Sequence, residues 1–161
     1  MWYWQDANGA TFKLNPVGEE SLNSHPLVVE DITVVYARAH WHHWHGGALF
    51  NLPAVGHGEG GYTLTFRNIV VEDPRPTLQS FKIMMEGVAP YPEDRKRGAG
   101  DIHGIVFQNI SIAAHSVLGE PEMLWGMEDG LIYGLVFDNV TIGGDKVEGV
   151  EYFYRNEFVF N

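Results

Sequence analysis

The chain has 161 residues, 45% of them hydrophobic, which suits one domain with a real core. Its formal charge of -11 argues against a nucleic-acid partner, because phosphate binding needs a basic surface, but leaves neutral polymers open. The lack of cysteine excludes disulfides, Cys-zinc sites and thiol nucleophiles, and no apolar run approaches the roughly 20 residues of a membrane span.

Met1-Trp2-Tyr3-Trp4-Gln5-Asp6 has neither the basic region nor the long apolar stretch of a signal peptide. It is followed by Thr11-Phe12-Lys13-Leu14, which is similar to Ser80-Phe81-Lys82-Ile83 further along. Next comes Leu27-Val28-Val29-Glu30-Asp31-Ile32-Thr33-Val34, the first of four copies of one eight-residue pattern. The others are Leu64-Thr65-Phe66-Arg67-Asn68-Ile69-Val70-Val71, Ile105-Val106-Phe107-Gln108-Asn109-Ile110-Ser111-Ile112 and Leu135-Val136-Phe137-Asp138-Asn139-Val140-Thr141-Ile142. Apolar residues alternate with polar ones on both sides of the Asn or Asp, so each copy reads as two short strands meeting at a turn.

A second ladder of short runs follows in phase. Ala48-Leu49-Phe50, Phe81-Lys82-Ile83, Met123-Leu124-Trp125 and Tyr152-Phe153-Tyr154 begin 21, 17, 18 and 17 residues after the starts of the four copies. Thr11 to Leu14 then reads as the second run of an earlier repeat whose first run is missing, so the chain is expected to begin partway through the pattern. The copies start 37, 41 and 30 residues apart, so strands keep phase while loops vary, as in a solenoid.

About three short strands per unit suit a parallel β-helix, with each strand pairing to its equivalent about 4.8 Å away. Asp31, Asn68, Asn109 and Asn139 would then stack at one corner, where short amide side chains tolerate a left-handed backbone and bond to one another. Their expected role is to shape the turn, without chemistry. Asn109-Ile110-Ser111 and Asn139-Val140-Thr141 match the glycosylation sequon, but that motif belongs on exposed loops, and both are read as false positives. A sandwich or barrel of antiparallel hairpins is the rival fold; Asn8-Gly9 and Asp129-Gly130 suit it, the phased repeat less so.

The densest chemistry is His40-Trp41-His42-His43-Trp44-His45. Two His at i and i+2 on a strand can share a metal, but no third ligand is placed by the sequence, and no metal is expected. Trp41 and Trp44 can stack on pyranose rings with His43 adding hydrogen bonds; the plainer alternative is a loop packed by aromatic rings. Gly56-His57-Gly58-Glu59-Gly60-Gly61 has dinucleotide-loop spacing, yet a strand follows it instead of a helix and Glu59 would repel phosphate, so no cofactor is expected. Glu72 with Asp73, Glu86, Asp101, and Glu128 with Asp129 read as solvated corners, and Glu93-Asp94-Arg95-Lys96-Arg97-Gly98 as an exposed loop. Open ends of such a stack expose strand edges and apolar core, so a homo-oligomer built end to end is a further expectation.

The runs Gly104 to Ile112 and Gly134 to Gly144 resemble the C-terminal turns of pectin-lyase-like right-handed β-helix proteins, most of all polysaccharide hydrolases of the dextranase and polygalacturonase kind. The resemblance covers about Trp2 to Ile142 and is more specific for fold than for activity. It implies an all-β chain: a right-handed parallel β-helix (solenoid) of about four to five turns, or part of one, with residues 1–161 as a single domain. It also implies a polysaccharide or oligosaccharide partner and a secreted or periplasmic location. Such hydrolases use paired carboxylates. Of the polygalacturonase motifs, Gly56-His57-Gly58 is present and Phe81-Lys82-Ile83 stands near the place of Arg-Ile-Lys, whereas the two acidic motifs are missing. His57 is therefore a catalytic candidate by resemblance, and Asp6, in a context like the acid-bearing turn of dextranase-like enzymes, is the other.

Two functions follow. One is a non-catalytic relative that binds carbohydrate or assembles through its ends, favoured by the missing acidic motifs. The other is an active glycoside hydrolase cleaving a dextran-like or pectin-like polymer by paired-carboxylate acid/base catalysis.

Overall fold

The structure is a computed structural model that describes residues 2–6, 12–13, 27–38, 48–52, 64–74, 79–84, 101–114, 122–126, 128 and 130–161. In chain order its strands are β1 (Trp2–Asp6), β2 (Phe12–Lys13), β3 (Leu27–Arg38), β4 (Ala48–Asn51), β5 (Leu64–Val71), β6 (Gln79–Met84), β7 (Ile102–His103), β8 (Ile105–Ile112), β9 (Met123–Trp125), β10 (Ile132–Tyr133), β11 (Val136–Ile142), β12 (Asp145–Val147) and β13 (Tyr154–Arg155). One 3-10 turn spans Val150–Tyr152, and the described residues contain no α-helix. The protein is all-β.

Its strands form three sheets. Six lie in the order β1-β3-β5-β8-β11-β12, five in the order β13-β9-β6-β4-β2, and β7 pairs with β10. Among the described residues every strand pairing is parallel except that of β11 with β12. The four pattern copies, read from the sequence as equivalents, are neighbours in the first sheet and pair position for position. Val29 stands beside Phe66, Phe66 beside Phe107 and Phe107 beside Phe137; Ile32, Ile69, Ile110 and Val140 make the next inward row, and Val34, Val71, Ile112 and Ile142 the third. A slip of one residue would turn these rows outward, so the alternation itself fixes the register.

Between the inward rows the chain bends. Asp31, Asn68, Asn109 and Asn139 have φ of 57°, 55°, 52° and 56°, the left-handed region that Asn and Asp visit more readily than other side chains. The expected turn is therefore a single left-handed residue inside an otherwise continuous strand. Gly104 and Gly134, with φ of 70° and 61°, make the sharper bend from the short β7 and β10 into β8 and β11.

The core is two interlocked columns of phenylalanine. Phe66, Phe107 and Phe137 stack with centroids 5.4 and 5.2 Å apart and planes within 8°. From the second sheet Phe12, Phe50 and Phe81 stack at 5.0 and 4.8 Å. The columns meet edge to face: Phe50 on Phe66 at 5.0 Å and 74°, Phe81 on Phe107 at 5.1 Å and 81°. Equivalent positions one strand apart put like rings in register, so each column follows from the parallel pairing. Each such ring pair contributes about 0.5–1.5 kcal/mol beyond the area it buries.

Three sequence expectations shift. The second runs are in phase, but Phe50 stands opposite Phe81 and Ala48 opposite Gln79, because matching the aromatic rings outweighs matching the starts of the runs. In the last run, Tyr152 belongs to the 3-10 turn and the strand begins at Tyr154, beside Met123. Phe12 does join the second sheet beside Phe50, as its likeness to Phe81 implied, yet that earlier repeat does not lack a first run: β1 pairs with β3 from Thr33 to Arg38, alongside the half that follows the Asp31 bend. The aromatic letters of Trp2-Tyr3-Trp4 concealed this, since the eight-residue pattern has no aromatic residue after its Asn or Asp.

Candidate functional site

The corner residues form one continuous hydrogen-bonded row. Nδ2 of Asn68 donates to Oδ1 of Asp31 at 2.9 Å, Nδ2 of Asn109 to Oδ1 of Asn68 at 3.2 Å, and Nδ2 of Asn139 to Oδ1 of Asn109 at 2.9 Å. Each amide nitrogen thus works inside the row, including those of both sequon asparagines. Beside it on the outer face, Glu30, Arg67, Gln108 and Asp138 stand opposite one another; Arg67 is ion-paired to Glu30, and Gln108 donates to Asp138 at 2.8 Å. These pairs are solvated and worth little individually.

Two carboxylates among the described residues hold backbone N–H groups. Both oxygens of Glu122 accept backbone N–H groups from β6, from Ser80 at 3.1 Å and Phe81 at 2.5 Å. That clips the entry of β9 to the neighbouring strand. Asp101 accepts the N–H of Leu131 at 2.8 Å. Asn156 does similar work, its side chain bonding both the N–H and the carbonyl of Gly126 at 3.1 and 2.8 Å. A Cβ on Gly126 would lie 2.6 Å from the carbonyl oxygen of Phe158, so the chain can approach this closely only at glycine. Sequence reasoning missed these roles because the partners are 30 to 42 residues apart.

Two aromatic pairs face outward. Trp125 stacks on Tyr154 with centroids 5.7 Å apart and planes at 19°, and Tyr154 is 55% exposed. His103 stacks on Tyr133 at 4.8 Å and 12°, both half-buried. Neither pair was singled out from sequence, where Trp125 and Tyr154 read as members of apolar strand runs. The signal available was their place in the second ladder, with the core position of each run taken by Leu124 and Phe153.

Trp41, His43, Trp44 and His57 lie outside the described residues. Asp6 lies at the end of β1 opposite Arg38, described by its backbone alone. Among the described residues no three His, Asp or Glu side chains converge as a metal would require.

Tyr152 packs edge-on against Phe153 at 5.4 Å. Its hydroxyl is pushed above the ordinary value of 10.0, first by burial and then by the nearby carboxylates of Glu122 and Asp145. A phenol with a raised folded value adds stability that is complete below the unfolded value and is lost as pH rises through the folded one. The alkaline side of the melting-temperature profile, above about pH 10, is therefore expected to fall less steeply in Tyr152→Phe than in the wild type. Calorimetry across that range checks it.

No family model, curated protein or solved structure significantly matches this chain.

Proposed function

We propose that the chain is a carbohydrate-binding module of the right-handed parallel β-helix class, related to pectin-lyase-like polysaccharide hydrolases and itself non-catalytic. Supporting the β-helix are three ladders of parallel strands, the left-handed Asn row, and a recurring bend at Gly104 and Gly134. The hand follows from general behaviour, since crossovers between parallel strands of one sheet are right-handed in about 98% of cases. The non-catalytic reading is favoured by Glu122 and Asp101, which hold backbone N–H groups.

The observation that carries the carbohydrate reading is the Trp125–Tyr154 pair. Trp125 covers one face of the Tyr154 ring, and Tyr154, in the edge strand β13, is more than half exposed. A flat, solvent-facing ring with its back supported suits the apolar face of a pyranose. The acidic chain suits a neutral polymer better than a charged one.

Binding to a panel of soluble polysaccharides and oligosaccharides, dextran and polygalacturonate included, tests the reading. Wild type is expected to bind a neutral glucan, and Tyr154→Ala to weaken it by about tenfold, the equivalent of one ring contact of about 1.4 kcal/mol. A panel with no binder overturns the carbohydrate reading; release of shortened sugar overturns the non-catalytic one.

A further inference from the structure

Trp125 is set in β9, where it stands opposite Met84 of β6. Tyr154 has to be placed against it by β13, which is two residues long and meets β9 through two pairs, Tyr154 with Met123 and Arg155 with Leu124. The pairing therefore ends one residue short of Trp125.

What continues the ladder is a side chain. Asn156 comes directly after β13, and Gly126 directly after Trp125. Oδ1 of Asn156 accepts the N–H of Gly126 at 3.1 Å, and its Nδ2 donates to the Gly126 carbonyl at 2.8 Å. A side-chain amide offers a donor and an acceptor in one plane, as a peptide group does, so it can take the place of a rung. The N–H it grips belongs to the peptide group that carries the Trp125 carbonyl, and the carbonyl it grips belongs to the next one. The exit of Trp125 is thus fixed to the residue two places after Tyr154.

The surroundings make this grip specific to asparagine. Oδ1 of Asn156 also takes the N–H of Phe158 at 3.4 Å, and its backbone carbonyl takes that of Val159 at 3.3 Å, which folds the following residues over Gly126. At the other side of the ring pair the tie is main chain: the N–H of Tyr154 donates to the Glu122 carbonyl at 2.9 Å, a bond any residue at 122 could accept. At 156 the choice is narrow. Aspartate has no N–H for the Gly126 carbonyl, and glutamine is one carbon too long.

We propose that Asn156 is the positioning residue of the aromatic platform: its amide fixes Tyr154 against Trp125, so the exposed ring is in place before a ligand arrives. A ring already ordered loses little freedom on binding, and that saving appears as affinity. The consequence for sugar rests on the reading of Tyr154 as the ring that meets it; the hold on the ring pair does not.

Near-UV circular dichroism tests the hold without sugar. The difference spectrum between wild type and Tyr154→Ala isolates the signal of the pair, and the same difference taken in an Asn156→Asp background is expected to be largely lost. Titration calorimetry with dextran tests the consequence. Asn156→Asp is expected to weaken binding about three- to tenfold, the worth of one hydrogen bond, and to cause no further loss in a Tyr154→Ala background. Far-UV circular dichroism confirms folding; Asn156→Ala, which removes both bonds and adds no charge, gives the same reading if Asn156→Asp does not fold. Asn161→Ala, which breaks the bond from Asn161 to Glu151 in the same segment, is expected to leave both readouts unchanged. A ring-pair signal that survives in a folded Asn156 variant overturns the inference. So does a loss matched by Asn161→Ala, which would mean a general loosening of the segment. Wild type that does not bind dextran counts against the sugar reading alone, and the ring-pair signal then decides the role of Asn156 by itself.

Discussion

Phe107→Ala is expected to lose about 3–5 kcal/mol of unfolding free energy, enough to bring a domain of ordinary stability close to unfolding. Phe107 is fully buried at the crossing of the two columns. It stacks on Phe66 and Phe137 at 5.4 and 5.2 Å and meets the edges of Phe50 and Phe81 at 5.5 and 5.1 Å. Removing the ring leaves a cavity walled by four other rings, each fixed by its own strand, so collapse cannot fill it. Urea unfolding checks the value. The midpoint should fall with the slope unchanged, because the surface exposed on unfolding is nearly the same. A loss below about 2 kcal/mol, the low end for truncating a large core side chain, would mean that the columns relax in ways the parallel register does not allow.

Asn109→Ala is the second large loss expected, about 2–5 kcal/mol, although the side chain is exposed. Two effects combine. Alanine at φ 52° takes a left-handed strain of about 1–2 kcal/mol, and the row loses both bonds at its centre, each worth about 0.5–1.5 kcal/mol. Asn109→Gly separates them. Glycine accepts the backbone freely and loses only the bonds, so it should cost about 1–3 kcal/mol by the same unfolding measurement. If Ala and Gly prove equal, backbone strain contributes nothing and the row alone holds the corner.

What the sequence disclosed followed from how local the signal was. The eight-residue copies carry their inward rows and their bend within one short window, so the pairing of Leu64 with Ile105 and Val71 with Ile112 could be anticipated from spacing alone. The second ladder was legible as existing but not in its register, because three-residue runs such as Ala48-Leu49-Phe50 can slide until a ring from another strand holds them. The third, Ile102 beside Ile132 with Val159 bridging to Ile132, is two residues deep, too short for any periodicity. Glycines 104 and 134 were its only marker. The hairpin at Gly143-Gly144 was in plain view as a turn signal, yet a repeat-based reading looks for the next copy and passes over a reversal. At the candidate site the gap is wider: Trp125 and Tyr154 are separated by 29 residues and meet only because their strands are adjacent.

The corner row also has an electrical direction. All three amides point their N–H groups toward Asp31 and their oxygens away from it, so their dipoles add along the stack and each bond polarises the next. The positive end of that line falls on the one member that is a carboxylate, the same relation an acidic residue has to the start of a helix. Four positions that look interchangeable in the sequence are therefore distinct: a negative charge belongs at the first and would oppose the field at the last.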